Sequence, residues 1–155
     1  MIFILKMALS IKMVELSENG VTIRAIHPYE FYVNNQTHTL NGVEYKVMLS
    51  KDELKEMIRN NDDVTKVVTT FITDMNKLFY KNEYFNQAIG SWDVSNVTDM
   101  SCLFYDAYSF NQSIEFWDVS KVTNMRSMFD RAESFNKPIG SWDVSNVTNM
   151  LQMFY

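Results

Sequence analysis

Asp93, Asp118 and Asp143 recur at a 25-residue step, and carboxylates in a row invite a calcium site. Calcium takes about six to eight oxygens, and one carboxylate per unit with Val and Ser beside it supplies too few. An Asp that caps its own turn explains the spacing more simply, so no metal is expected. His27 and His38 have no cysteine nucleophile nearby and no Gly-x-Ser-x-Gly turn, which leaves the Ser-His and Cys-His patterns without support. With four glycines in the chain, there is no phosphate-cradling loop. Cys102 is the sole cysteine, too few for a disulfide framework or a thiolate metal site. No catalytic set and no cofactor are expected, and the chain reads as a non-enzyme.

Two further columns share the step. Asn86, Asn111 and Asn136 form an amide row, and an amide both donates and accepts, which suits a buried ladder joining the backbones of neighbouring units. Trp92, Trp117 and Trp142 stand inside three copies of Trp-Asp-Val-Ser. Their indoles either pack inward or stay partly exposed as a sugar-binding stripe, and packing is the favoured reading. Phe85, Phe110 and Phe135 keep the same period, as do Met75, Met100, Met125 and Met150, and Phe79, Phe104, Phe129 and Phe154. At strict repeat spacing such columns are core.

These columns require an array, because a period of this length means stacked coils that bury their apolar edges against each other. Within one unit, Met100, Leu103, Phe104 and Ala107 share the face of a short helix, capped by Ser95 or Thr98. Phe110 to Ile114 reads as a short strand, and strands from successive coils would form a parallel sheet. The expected fold is thus an α/β repeat solenoid with one short parallel strand and one short helix per repeat.

The first half does not repeat. Residues 1–49 read as a β-rich head, with alternation over Lys12 to Leu16 and Val21 to Ile26 about a Glu18-Asn19-Gly20 turn, and a second hairpin at Asn41-Gly42. Residues 50–74 read as a capping helix and a degenerate first coil. Ser50-Lys51-Asp52-Glu53 has the spacing of a capping box, the helix should run from Lys51 to about Asn60, and Val64 to Val68 reads as a strand. Residues 75–155 hold the tandem repeats, the last incomplete at Phe154-Tyr155. That end implies either a longer array or a partner covering the last face.

The unit Phe-Asn-x-x-Ile-x-x-Trp-Asp-Val-Ser-x-Val-Thr-x-Met-x-x-Met-Phe resembles the BspA-like leucine-rich repeat, in the form abundant in mycoplasma lipoproteins. Phe85 to Phe154 matches it throughout, and Phe71-Ile72-Thr73-Asp74-Met75 looks like a first partial copy. The resemblance implies right-handed, leucine-rich-repeat-like coils, with surface display, adhesion or protein binding as the role. The sequence departs from the surface members of that family in two features, a lipid-attachment cysteine near the N-terminus and a wall-anchoring tail, neither of which it shows.

A net charge of -5 with scattered Lys and Arg gives no basic face for nucleic acid. Hydrophobic residues make up 46% of the chain, enough for a core, but no stretch is long enough to span a bilayer. The opening Met-Ile-Phe-Ile-Leu is interrupted by Lys6 and Lys12 and lacks a small-residue cleavage site, so secretion and cytosolic residence both stay open. In a stacked array the repeated residues hold the coil and the variable ones meet partners. The variable edge is Gln87, Gln112 and Lys137, followed by Glu115 and Phe116, which replace Gly-Ser in the sister units. Phe116 is either a local packing variant or an exposed anchor. The leading expectation is a scaffold that binds a protein through this edge; the alternative is self-assembly through the open C-terminal coil.

Overall fold

A computed structural model describes residues 14–26 and 37–155. The expected readings at Met1 to Met13 and at His27 lie outside these residues. The head forms as hairpins. Strands β1 (Val14–Leu16) and β2 (Ile23–Ala25) pair antiparallel. Asn19 closes their turn, its Oδ1 accepting from the Val21 and Thr22 amides at 2.9 Å each. Strands β3 (Thr37–Leu40) and β4 (Val43–Val47) meet across Asn41-Gly42. Both turn residues have positive φ, 52° and 80°, the conformation a tight hairpin with the native twist requires. Strand β5 (Val67–Val68) is shorter than the expected Val64 to Val68 and adds to β4 in parallel.

Helix α1 (Lys51–Arg59) lies between these strands. The Ser50 hydroxyl accepts from the Glu53 amide at 3.2 Å, while the Glu53 carboxylate turns to Lys46 at 2.9 Å instead of reaching back to the cap. Asn61 ends the helix in the left-handed region with φ 57°. The Asp62 amide then reaches the Met57 carbonyl and the Asn61 amide the Ile58 carbonyl, the bonding of a Schellman end. Leu54 and Ile58 are buried, which turns the apolar stripe of α1 onto the core.

The α/β solenoid is not what forms. The described residues hold one helix and five short strands in two small sheets, a small, mostly β domain, and none of the repeats contains a helix or a strand of its own. The helix expected at Met100 to Ala107 is a chain of turns, because Cys102 and Asp106 have φ of 53° and 55°, and a single left-handed residue ends α-helical hydrogen bonding. Lys77 and Lys81 take the same conformation one unit earlier, and Ser127 and Arg131 one unit later.

Left-handed backbone costs a non-glycine residue about 1–2 kcal/mol, and here it accompanies a gain in bonding. It turns alternate amides toward the next unit. Met75, Lys77, Phe79 and Lys81 donate to the carbonyls of Asp99, Ser101, Leu103 and Tyr105 at 2.8–3.0 Å. Met100, Cys102, Phe104 and Asp106 repeat the pattern toward Asn124, Arg126, Met128 and Asp130. The amides between them close turns within their own unit, such as Leu103 to Met100 at 3.2 Å. The expected strand at Phe110 to Ile114 has no ladder, and the parallel pairing between units shrinks to single bridges at Asp74, Asp99, Asn124 and Asn149.

Stacked rings run through the interior and end at Phe154, which is exposed. Phe79, Phe104, Phe129 and Phe154 lie 5.2–5.4 Å apart in near-parallel planes, and Phe110 lies 3.9 Å from Phe104. Each aromatic side chain removed from water contributes about 1.5–3 kcal/mol. The β1–β2 hairpin docks on this body through the Ile23 amide, which donates to the Ser91 carbonyl at 2.9 Å.

Candidate functional site

The repeated columns are mostly occupied in joining units. Trp92, Trp117 and Trp142 are buried, and each indole Nε1 donates to a carbonyl of the preceding unit: Val64 at 3.0 Å, Ile89 at 3.1 Å and Ile114 at 3.2 Å. Buried rings with their one donor engaged present no sugar-binding stripe. The asparagines do form a ladder, with Asn86 Oδ1 accepting from the Asn111 amide and Asn111 Oδ1 from the Asn136 amide, both at 3.0 Å. It runs along the surface, where Asn86 and Asn136 are exposed, instead of inside the core.

Each repeated aspartate holds its own turn. Asp118 and Asp143 accept from the amides of Ser120 and Ser145 at 3.1 and 3.0 Å. Asp93 accepts from Ser95 and also from the Thr70 hydroxyl at 2.7 Å. Hydrogen bonds from Ser145 hold the Asp143 carboxyl below the usual carboxylate value. Among the described residues no three His, Cys, Asp or Glu side chains group as metal ligands. His38 lies on β3 opposite Tyr45, where burial lowers its pKa. Cys102 is half-buried, and burial pushes its thiol up, away from a reactive thiolate.

The variable edge divides. Gln87 accepts from the Val64 amide and donates to the Asp62 carbonyl, both at 2.9 Å. Gln112 donates to Asn86. Both glutamines are thus joints between units, a role their variation in type conceals. Glu115 and Lys137 are half-buried, and the Glu115 carbonyl accepts from Ser141. Phe116 stands out at 51% exposed. It borders a cleft of about 250 Å³ shared with Glu18, Asn19 and Arg24 of the hairpin and with Asp118, so an apolar anchor carries a polar, charged rim.

A longer groove of about 630 Å³ crosses several units on the face carrying the turn ladder. Tyr80 and Tyr105 stack there with centroids 5.0 Å apart, and Asp130 takes the place that Tyr80, Tyr105 and Tyr155 hold in their units. The sequence columns already contain that substitution, but nothing in residue type alone says that this position faces a groove. At the edge of the same face, Asp99 stays below its ordinary value: burial opposes its ionisation, while hydrogen bonds from Ser101 and Asn124 outweigh it. No helix among the described residues is long and apolar enough to cross a membrane.

A family model described as Mycoplasma protein of unknown function, DUF285, matches residues 49–155. No curated protein and no solved structure matches the chain.

Proposed function

The chain belongs to the DUF285 family of mycoplasma proteins of unknown function, and we propose that it is a non-enzymatic module, with repeats of the BspA-like sequence type, that binds a protein through Phe116 as part of surface adhesion. The exposure of Phe116 carries this reading. Large aromatics at the centre of a patch dominate binding energy when a polar rim keeps water out, and Glu18, Asn19, Arg24 and Asp118 supply such a rim. In the sister units the equivalent residues are Ser91 and Ser141, so the fold itself does not call for an aromatic there.

The variant Phe116→Ser tests this directly. Its melting temperature should match that of the native protein, while the set of proteins retained from a solubilised surface extract should lose its most enriched member. Equal retention by both proteins overturns the reading, as does a large drop in melting temperature, which would make Phe116 a packing residue.

A further inference from the structure

Asp130 is 5% exposed, it interrupts a tyrosine column, and its Oδ1 has no hydrogen-bond partner among the described residues. A buried carboxylate oxygen without a donor is costly, and a tyrosine would fit this position, as the sister units demonstrate. The stacked pair Tyr80 and Tyr105 sets a ring spacing of 5.0 Å. Asp130 leaves the position between Tyr105 and Tyr155 without a ring of its own, and all three residues line the groove.

From this we infer that the groove at Asp130 is a binding site for a neutral saccharide, with one pyranose ring held between Tyr105 and Tyr155 and a hydroxyl donated to Asp130. The pyranose C–H faces suit tyrosine rings, whose faces carry partial negative charge. The terminal torsion of an aspartate is soft, so a small tilt turns Oδ1 toward an entering donor. Around it, among the described residues, Asn149 has an amide nitrogen that no protein group accepts from, and Arg126 has no carboxylate partner. Both can donate to hydroxyl oxygens. Lys77, Arg126 and Arg131 repel a cation, while an anion would have to meet the donor-free carboxylate oxygen of Asp130 and is therefore the competing ligand that the test includes. The groove volume lies within the range of small-molecule sites, about 300–1,000 Å³. The site does not depend on the Phe116 patch, which lies in a separate cleft.

Saturation-transfer NMR on the full chain provides the test, with lactose, maltose and N,N′-diacetylchitobiose as probes, and guanosine monophosphate and putrescine as the competing chemistries. At least one disaccharide should show transfer, reduced at least tenfold in Asp130→Tyr and severalfold in Arg126→Ala, and unchanged in Phe116→Ser. Asp130→Tyr should also melt at a higher temperature than the native protein, because it restores the ring column and removes the unpartnered oxygen. Arg126 is exposed, so its variant reads binding without disturbing the fold. Transfer to none of the disaccharides, equal transfer in Asp130→Tyr, or binding of only the nucleotide or the diamine overturns the inference.

Discussion

The head and the repeats solve the same bonding problem differently. In the head and the capping segment that follows it, backbone groups pair within regular elements: two antiparallel hairpins, one added parallel strand and a nine-residue helix with conventional ends. In the repeats, half of the amides in each turn segment look across to the next unit and the other half close local turns. The head is therefore held mainly by contacts near in sequence, apart from the β4–β5 pairing and the bonds of the Ile23 and Ala25 amides to Ser91 and Thr70. The repeats are held by contacts about one period apart, so each unit depends on its neighbours for its backbone bonds as well as for its core. A defect in one unit should then reach the next, whereas a defect in the hairpin β1–β2 should stay local.

The largest effect is expected at Trp117. Its indole fills the interior and bonds the Ile89 carbonyl of the unit before it. Trp117→Ala should cost about 3–5 kcal/mol by chemical denaturation. If the contrast between regions holds, amide exchange should accelerate in both adjoining units and not in β1. Exchange confined to one unit would break the contrast.

A smaller effect sharpens it. A Cβ on Gly90 would stand 2.5 Å from the Ser113 carbonyl of the following unit, while Gly140 has nothing within 4 Å. Gly90→Ala should destabilise by about 1–3 kcal/mol, and Gly140→Ala should leave the midpoint near its native value. Equal effects at the two sites would mean that the spacing between units is looser than described. Smaller still is Asn111→Ala, which removes an acceptor for the Asn136 amide. Because that ladder lies at the surface, where water can replace the lost bond, the expected loss is about 0.5–1.5 kcal/mol.

The hairpin at Asn41-Gly42, the capped helix after Ser50 and the inward Trp, Met and Phe columns were legible in the sequence, since each rests on a local rule about turn geometry, capping or burial; the exceptions are Met150 and Phe154, which are exposed instead of core. The conformation of the repeat was not. Met100, Leu103, Phe104 and Ala107 have helical spacing, and all four are buried, yet the segment that buries them is a run of turns. Burial periodicity reports which residues face inward and not the sign of φ. Lys77, Cys102 and Ser127 carry no glycine or asparagine signal for left-handed backbone. The candidate surfaces were half legible. Phe116 was visible as a break in the period, whereas the part Gln87 plays in bonding Val64 and Asp62 depends on a neighbour whose position only the fold reveals.

Each repeat turns through a left-handed residue to reach the next unit, and substitutions at Lys77 read that backbone state. Lys77 is exposed and has φ 55°. Lys77→Gly and Lys77→Ala remove nearly the same side chain, so their difference isolates the backbone. The turn ladder predicts that the Gly variant is more stable than the Ala variant by about 1 kcal/mol. In a repeat helix the order would reverse by a similar amount, and finding Ala the more stable of the two would place Lys77 in right-handed helical backbone and rule out the turn ladder.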